Sequence, residues 1–414
     1  MKTHVWILNH YATGMLFSKG GRHYWFAKFL KREGYEPVIF CCNAKHGALE
    51  YYFDTNQLWV EKIAEEIGIP FVAVKSSLYK GNGKDRGLNM IRFYRNVQKA
   101  AKEYAKTHAK PDVIYASSVH PLTLVAGIKL AKYFGVKCIC EIRDLWPLSL
   151  VEYGFLREDS LLTQALYRGE RWIYENADEI IFTGGGFKDY IFEKGWQKHI
   201  LQSKIHYINN GIDVKVFNNN KKMFQIQDTD LNDSHIFKVI YAGSIKKVNN
   251  LGLLLDVAKR IRNKKIVFLI WGDGEEKEML VSRVKNEQIE NVVFKGRVEK
   301  KYIPYITSCA DLNIAHCNPS KLFRFGISFN KIFDYLAAGK PILCDFKSNY
   351  NPVVMMNAGK EIIEPDSINV AKVIEEFSYM EKEKYDNYCK NALLGAQKYD
   401  FSNLTQELCR IIES

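Results

Sequence analysis

The stretch that first suggests chemistry lies near residue 325 and reads FGISFNKIFDYLAAGKPILCDF. Its pattern predicts a helix with Ser328 as the N-cap, Asn330 and Lys331 in the first turn, and a stop at Gly339 and Pro341. A lysine is normally favoured at the other end of a helix, where the helix dipole is negative. Lys331 therefore indicates a bound anion, and phosphate fits the unpaired amide groups of a helix start.

Asp334 lies one turn further into the predicted helix. Its carboxylate could accept hydrogen bonds from a sugar diol beside the phosphate. An ordinary capped helix with a solvated lysine is the alternative interpretation of the whole stretch.

Two strand-to-helix turns offer further phosphate ligands. The stretch YAGSIKKVNN places Gly243, Ser244 and Lys247 between a strand and a helix, where small residues let the backbone approach a phosphate and lysine neutralises it. WGDG places Gly272 in a similar turn, but it lacks the third glycine of a dinucleotide fingerprint, which argues against a nicotinamide site. Tight packing at the turn would explain these glycines equally well.

The first half of the chain carries a second group of polar residues at strand ends. CICEIRDLWP places Arg143 and Asp144 after an apolar strand, where α/β proteins bind ligands, and Asp144 could orient or deprotonate an acceptor hydroxyl. A structural Arg–Asp pair is the alternative. His120 follows another strand, where a capping or packing role is more common. Gly20 and Gly21 precede a helix, and they fit either close approach to a diphosphate or a plain loop.

Basic residues recur at spacings of three and four between residues 88 and 107, which predicts a helix with one basic face. They are Arg92, Arg95, Lys99, Lys102 and Lys106. The opposite face is apolar and consists of Met90, Phe93, Val97, Ala101 and Tyr104. An anionic membrane surface would relieve the repulsion between the cations and contribute about 1 kcal/mol per basic residue. A solvated helix in a basic protein is the alternative.

These residues need a scaffold, and the chain supplies short apolar runs that alternate with helical patterns. The alternation predicts parallel sheets covered on both faces, with helices over 21–33, 58–67 and 88–107 in the first third. Between residues 211 and 237 the pattern lapses into a polar stretch, which we interpret as an inter-domain loop. Two doubly wound domains in series are therefore expected, each binding ligands at the carboxyl ends of its strands.

The composition agrees with two domains and limits the classes of binding partner to be expected. The 414 residues exceed one ordinary core, and the net charge of +12 indicates an anionic partner. Nucleic acid is disfavoured, because the basic residues cluster on one helix without a stacking platform of aromatic residues. The nine cysteines match neither a disulfide framework nor a zinc site, so we expect reduced thiols in a cytoplasmic protein. Without a long apolar run, any membrane contact would be peripheral.

Several stretches together resemble a known family. GGRHYWFAKFLKREGYEPVIF, EIRDLWP, INNGID, YAGS, WGDG, FKGRV and SFNKIFDYLAAGKPIL occur in the order and spacing of retaining glycosyltransferase family 4. They look most like the bacterial branch that builds cell-surface polysaccharides and includes fucosamine transferases. The resemblance spans Asn9 to about Phe346.

The resemblance implies an α/β protein with the GT-B fold, in which two doubly wound Rossmann-like domains face an interdomain cleft. The acceptor-binding domain would cover 1–205, a linker 206–236 and the nucleotide-sugar-binding domain 237–395. A C-terminal helix at 396–414 would cross back to the first domain.

The resemblance also implies roles for the residues above. Lys247 would match the family's basic contact to the donor diphosphate, and with Asp144 it is the predicted catalytic pair. Asp334 would replace the family's ribose-binding acid. The complete set of predicted donor-binding residues is Gly20, Gly21, Gly243, Ser244, Lys247, Gly272, Arg297, Val298, Ser328, Asn330, Lys331 and Asp334. The predicted acceptor-binding residues are Asn9, His10, His120 and Arg143.

One position departs from the family pattern. The wider family carries a glutamate eight residues before its ribose acid, and here that position is Gly326. The sugar-contacting carboxylate is thus absent or comes from elsewhere. We interpret this as a feature of the branch.

The expected function is transfer of a sugar from a nucleotide-sugar donor, expected to be UDP-linked, to a polyprenyl-diphosphate-linked or other saccharide acceptor. The product would enter a surface polysaccharide such as O-antigen or capsule, and the protein would act at the inner membrane face. No cofactor or metal is expected, since lysines and a helix start would stabilise the leaving diphosphate. The alternatives are a UDP-N-acetylhexosamine epimerase of the same fold and a non-catalytic nucleotide-sugar-binding protein.

Overall fold

The computed structural model describes residues 2–81, 83–118 and 120–414. The chain divides into two compact units, Met1–Asn209 with Leu404–Ser414, and Asn210–Asn403. Each unit contains one sheet with helices packed against it, which confirms the prediction of two doubly wound α/β domains.

The first unit contains an eight-stranded sheet in the order β3-β4-β2-β1-β5-β6-β7-β8. Its strands are β1 (His4–Leu8), β2 (Glu36–Cys42), β3 (Trp59–Ala64), β4 (Ile69–Val74), β5 (Val113–Ser117), β6 (Lys137–Ile142), β7 (Glu179–Phe182) and β8 (Ile205–Tyr207). Its helices are α1 (Thr13–Ser18), α2 (Arg22–Arg32), α3 (Lys84–Tyr104), α4 (Pro121–Phe134), α5 (Leu148–Glu152), α6 (Leu161–Asn176) and α7 (Phe187–Glu193), followed by a 3₁₀ turn at Gln202–Lys204. The central strands read as continuous apolar runs because helices cover both faces.

One predicted helix of this unit is wrong. Residues 58–67 form the edge strand β3 and a turn, and β3 pairs antiparallel with β4. Trp59 and the β-branched residues of this segment favour a strand, and the pairing with β4 outweighs the helix-like spacing. Gly68 adopts a left-handed conformation at the turn, with φ of 62°. The sheet is therefore parallel except at this edge.

The second unit contains a six-stranded, fully parallel sheet in the order β11-β10-β9-β12-β13-β14. Its strands are β9 (Phe237–Ala242), β10 (Ile266–Trp271), β11 (Val292–Gly296), β12 (Leu312–Ala315), β13 (Ile342–Cys344) and β14 (Gly359–Glu361). Its helices are α8 (Val214–Met223), α9 (Thr229–Asn232), α10 (Gly252–Arg260), α11 (Lys277–Asn286), α12 (Ile303–Ser308), α13 (Asn330–Ala338), α14 (Pro352–Met355), α15 (Ser367–Ser378) and α16 (Lys382–Lys398). Short 3₁₀ turns lie at Lys247–Asn249, Lys300–Tyr302 and Lys321–Phe325. The last helix, α17 (Phe401–Glu413), continues into the part that belongs to the first unit.

The polar stretch interpreted as a loop is more ordered than its composition suggests. It contains α8 and α9, and each helix has an aspartate N-cap whose side chain accepts a hydrogen bond from the first turn. Phe217 buries the apolar side of α8 against the second unit. A polar composition with one buried aromatic residue is enough for a short helix that packs on a larger core.

A buried carboxyl group lies on α6 in the first unit. Glu170 accepts hydrogen bonds from the Tyr174 hydroxyl at 2.6 Å and the Tyr190 hydroxyl at 2.7 Å. Burial raises the pKa of Glu170 from its ordinary value of 4.5 to about 8, because a charged carboxylate is poorly solvated there. The folded protein therefore holds a proton on Glu170 at neutral pH.

This proton makes the stability of the first unit depend on pH. Between pH 6 and pH 8 the folded state still holds much of the Glu170 proton while the unfolded chain is already ionised, so rising pH favours unfolding and stability falls by on the order of 2 kcal/mol. Glu170→Gln imitates the protonated acid and should flatten this slope. Urea unfolding at pH 6 and pH 8 measures it, and equal slopes for both proteins would contradict the assignment.

Candidate functional site

A pocket of about 720 Å³ opens at the carboxyl ends of β9, β10 and β11 in the second unit. Its lining contains Gly243, Ser244, Trp271, Gly272, Asp273, Arg297, Val298, Glu299, Lys300 and Ile303. Five of the predicted donor-binding residues therefore meet in one place: Gly243, Ser244, Gly272, Arg297 and Val298. The parallel sheet causes this, because strand ends of the same polarity lie along one edge.

The glycines of this pocket are required by close packing. A Cβ atom on Gly272 would lie 1.8 Å from the carbonyl oxygen of Gly243, and the φ of Gly272 is 151°. A Cβ atom on Gly243 would lie 2.9 Å from the Tyr241 hydroxyl. Packing between neighbouring turns thus explains both glycines without a ligand, as the alternative interpretation had it, and it also gives the pocket a floor made of backbone.

The start of α13 differs from the prediction in one respect. The helix begins at Asn330 with Phe329 as the N-cap, and no side chain caps it, so the prediction of Ser328 as the N-cap is wrong. The Ser328 hydroxyl instead accepts a hydrogen bond from the Asn210 amide at 3.3 Å. The Asn210 side chain donates to the Ser328 carbonyl at 3.1 Å and to the Asn330 side-chain oxygen at 2.9 Å. The predicted stop is confirmed, with Gly339 in a left-handed conformation.

Lys331 is a cation without a carboxylate partner. Its Nζ atom lies 3.4 Å from the Tyr241 hydroxyl, 3.3 Å from the His316 carbonyl oxygen and 4.6 Å from the centre of the Tyr241 ring. Within the described part of the chain no carboxylate pairs with it. Burial lowers the pKa of Lys331, because the ammonium group has lost most of its water. A bound anion would compensate this cost.

Lys247 takes a different position. It begins the 3₁₀ turn at Lys247–Asn249, its side chain is exposed, and its backbone amide lies 3.4 Å from the Glu275 carboxylate. It is close in sequence to the pocket residue Ser244 but does not line the pocket. A contact between Lys247 and a diphosphate stays a prediction.

Asp334 and Gly326 are the remaining two positions of the second unit that the sequence analysis singled out. Asp334 lies on α13, burial raises its pKa, and the Lys300 ammonium at the pocket is near enough to oppose that rise. Gly326 ends the 3₁₀ turn at Lys321–Phe325 with φ of 98°, a conformation that a glutamate rarely adopts. The local backbone therefore explains why glycine replaces the family's acid here.

The first unit gathers polar side chains at the carboxyl ends of β1, β5 and β6. Arg143 follows β6 and its amide donates to the Ser118 hydroxyl at 2.9 Å. The Asp144 carboxyl is solvent-exposed, yet the protein atoms crowded around it raise its pKa, while Arg143 and Arg86 partly offset this rise. Arg143 and Asp144 form no ion pair with each other in the described chain, so the structural-pair alternative is not supported.

The ion pair of this region is instead formed by Glu141 and Arg22, which are both buried, at 2.7 Å. Glu141 also accepts from the Tyr115 and Ser117 hydroxyls. Although burial opposes ionisation, Arg22 and His23 hold the pKa of Glu141 well below its usual range. Since Arg22 is the first residue of α2, this pair fixes the start of the helix to β6.

The helix start fixed in this way carries the predicted glycines. Gly21 is the N-cap of α2 with φ of 116°, and a Cβ atom on it would lie 3.0 Å from the Met15 side chain. A Cβ atom on Gly20 would lie 3.2 Å from the Trp25 ring. Both glycines have packing reasons, and their approach to a diphosphate stays a prediction.

Three of the four predicted acceptor-binding residues are buried. The His10 Nδ1 atom lies 2.6 Å from the His120 Nε2 atom, and the Phe93 ring of α3 stacks on His10. Burial lowers the pKa of both imidazoles, that of His120 to about 3, so both rings are neutral. The Asn9 side chain donates to the Ser117 hydroxyl and accepts from the Tyr11 amide. Asn9, His10 and His120 are therefore buried at the carboxyl ends of β1 and β5, and of the four predicted residues only Arg143 is partly exposed.

The basic stripe of α3 is on the surface. Arg92, Arg95, Lys99, Lys102 and Lys106 are all exposed, whereas the five residues predicted for the apolar face are buried. The helix ends at Tyr104, so Lys106 lies just beyond it. Two apolar side chains near the start of α3, Leu88 and Ile91, are exposed as well.

Sequence reasoning missed part of the pocket. Trp271, Asp273, Glu299, Lys300 and Ile303 line it but were not singled out. Trp271 ends the strand β10 and Asp273 lies two residues beyond it, so their place at a strand end was the available signal. No group of three or more His, Cys, Asp or Glu side chains in residues 2–81, 83–118 and 120–414 is arranged to hold a metal ion.

Comparison with known proteins identifies the class to which this site belongs. Residues 24–216 match the family described as Glycosyltransferase Family 4, and residues 224–393 match Glycosyl transferases group 1. Two domains that each match a glycosyltransferase family therefore make up most of the chain, and together they have the GT-B fold. A curated relative is the probable glycosyltransferase WbjE of Pseudomonas aeruginosa, which is 22% identical over 246 residues. That match covers 57% of this chain and spans only 58% of the relative's length.

Solved structures give the same fold over the whole chain. Sucrose-phosphate synthase from Thermosynechococcus elongatus has a TM-score of 0.72 at 13% identity and covers 100% of this chain and 98% of its own. HepE from Anabaena, solved with UDP, has a TM-score of 0.68 at 14% identity and covers 100% of both chains. An E. coli trehalose-6-phosphate protein, solved with UDP-2-fluoro glucose, has a TM-score of 0.73 at 10% identity and covers 100% and 99%. At these identities the likeness establishes the fold.

Proposed function

We propose that the protein transfers a sugar from a UDP-sugar to a lipid-linked saccharide during synthesis of a surface polysaccharide. The observation that carries this proposal is the pocket at the ends of β9, β10 and β11. It brings together Gly243, Ser244, Gly272 and the turn formed by Arg297 and Val298, all predicted to contact a nucleotide sugar. The choice of UDP is supported by HepE and the E. coli protein, which were solved with UDP and a UDP-sugar analogue.

The proposed donor lies along the strand ends of the second unit. Its base contacts the turn at Arg297 and Val298, and Asp334 accepts hydrogen bonds from the ribose diol. Its diphosphate lies between Lys331, the amide groups at the start of α13 and the side chain of Lys247. The Lys331 ammonium, which forms no ion pair in the described chain, supports this placement, because an anion there would restore the solvation that burial has removed.

The proposed mechanism follows from where charge develops. Negative charge builds on the diphosphate as the bond to the sugar breaks, and Lys331, Lys247 and the helix start are positioned to stabilise it beforehand. Because lysines supply this stabilisation, the mechanism needs no metal. Retention of configuration at the anomeric carbon is proposed from the family resemblance.

The proposed acceptor site lies in the first unit at Asp144 and Arg143. A carboxyl group with a raised pKa can take the proton that the acceptor hydroxyl releases during transfer. Arg143 is placed beside it to hold an anionic part of the acceptor. His10 and His120 support the floor of this site.

The proposed membrane contact is the surface of α3. Its basic side chains are exposed, and Leu88 and Ile91 add exposed apolar area near its first turns. No helix in the described parts of the chain is both long and apolar enough to cross a membrane. Peripheral binding to anionic lipid would bring the protein to an acceptor that is anchored in the bilayer.

The donor site is tested by calorimetric titration of UDP and UDP-sugars into the wild type and Lys331→Met. Methionine keeps the packing of the stem but removes the charge, so we expect UDP affinity to fall at least tenfold, about 1.4 kcal/mol. Lys372→Met, on the exposed side of α15, is the matched control and should bind like the wild type.

One result would contradict this donor site, and two others would contradict the transfer reaction. Unchanged affinity in Lys331→Met would remove the diphosphate from the start of α13. Turnover of the donor alone to an epimerised sugar would favour the epimerase, and binding without transfer to any acceptor would favour the non-catalytic protein.

The membrane contact is tested by co-sedimentation with vesicles of phosphatidylglycerol and phosphatidylcholine in equal amounts. The double substitution Arg95→Gln with Lys99→Gln removes two exposed charges and should weaken vesicle binding by about 2 kcal/mol, roughly 30-fold. Lys382→Gln with Lys384→Gln, two exposed lysines of α16, is the matched control. Equal binding of both double variants, or equal binding to vesicles of phosphatidylcholine alone, would rule out this surface.

A further inference from the structure

A buried histidine follows β12 in the second unit and connects three parts of the proposed donor site. His316 is 1% exposed, and its Nδ1 atom contacts the Asp345 carboxylate, which lies just after β13. Its Nε2 atom lies 2.8 Å from the backbone carbonyl oxygen of Asn250, and its own carbonyl oxygen lies 3.3 Å from Lys331 Nζ. None of these contacts was predicted from the sequence.

The contact with Asn250 determines which nitrogen of the His316 ring carries a hydrogen. A carbonyl oxygen can only accept, so His316 Nε2 must carry a hydrogen and donate it. The Nδ1 atom then shares one proton with Asp345, whichever of the two holds it. The carboxylate thereby holds the imidazole in the orientation that directs Nε2 at Asn250, as carboxylates orient histidines in many functional sites.

Asn250 ends a loop that begins at the pocket. The loop runs from Ser244, which lines the pocket, through Lys247 to Asn250, which has a left-handed conformation with φ of 48°. A non-glycine residue in this conformation persists only when its surroundings hold it. The partly buried hydrogen bond from His316 holds the Asn250 carbonyl in place.

The same segment of chain holds the loop at two further points. The Asn318 side chain donates to the Lys247 carbonyl oxygen and the Asn318 amide donates to the Val248 carbonyl oxygen, both at 3.3 Å. At the pocket end, the Asn249 side chain donates to the Ser244 carbonyl oxygen at 2.7 Å. The 3₁₀ turn that carries Lys247 is therefore attached along its length to the end of β12.

We infer that His316 is a positioning residue of the donor site, which sets the Lys247 loop and the Lys331 ammonium in register around one diphosphate. The inference rests on the proposed function, because it takes a nucleoside diphosphate as the ligand. One side chain fixes the loop through Nε2, and its backbone carbonyl accepts from Lys331. A role in stability alone would not require this arrangement, since a buried pair can often be replaced by apolar residues without loss.

The experiment distinguishes the contact that His316 makes through Nε2 from the contact that it makes through Nδ1. His316→Gln places an amide donor near the position of Nε2 and keeps the contact with Asn250, whereas His316→Asn places its donor near Nδ1 and keeps only the contact with Asp345. We measure UDP affinity by calorimetry, melting temperature, and hydrogen exchange of the amides of residues 244–250 without ligand. His316→Gln should bind UDP within threefold of the wild type, and His316→Asn at least tenfold more weakly with faster exchange in the loop.

Other outcomes overturn the inference. Unchanged exchange and affinity in His316→Asn would mean that the loop does not depend on the ring, and equal losses in both variants would mean that the Asn250 contact is not the cause. Should His316→Asn fail to fold, His316→Met, which has no donor, replaces it in the comparison with His316→Gln. If the wild type binds no UDP while loop exchange still separates the variants, the proposed function fails and the positioning role stands.

Discussion

The donor site depends on a lysine ammonium group for which the described part of the chain supplies no carboxylate partner. Lys331 contacts a phenol hydroxyl, the face of an aromatic ring and a backbone carbonyl, and burial lowers its pKa. A cation in such a place is costly unless an anion completes its surroundings. In the described chain no side chain caps the first turn of α13 at the same point, so the lysine charge and the helix dipole both favour a phosphate there.

The scaffold explains why these groups meet. In a parallel sheet every strand ends on the same edge, and the turns after β9, β10 and β11 form one pocket of about 720 Å³. The first unit uses the same principle, with Arg143 and Asp144 after β6 and the His10–His120 pair after β1 and β5. In that unit a buried ion pair between Arg22 and Glu141 secures the helix that follows the two glycines.

Much of this could be predicted from the sequence, because both signals involved are local. Apolar runs alternating with helical patterns indicated the two α/β domains. Small residues after predicted strands indicated Gly243, Ser244 and Gly272 of the pocket, and the family resemblance added Arg297 and Val298. The strand at Trp59–Ala64 was mistaken for a helix because its pairing with β4 is a tertiary contact that spacing does not reveal. Ser328 was mistaken for an N-cap because a good capping residue lies beside the helix start while its hydroxyl bonds Asn210. His316 was missed because its contacts are also tertiary: its partners Asn250 and Asp345 lie 66 and 29 residues away in sequence.

The most direct test of the central claim is a crystal structure of the protein with UDP bound. We expect diphosphate oxygens within about 3 Å of Lys331 Nζ and of the first amide groups of α13, with the base at the turn formed by Arg297 and Val298. A UDP molecule whose diphosphate lies elsewhere, with Lys331 still resting on Tyr241 and no anion beside it, would contradict the account.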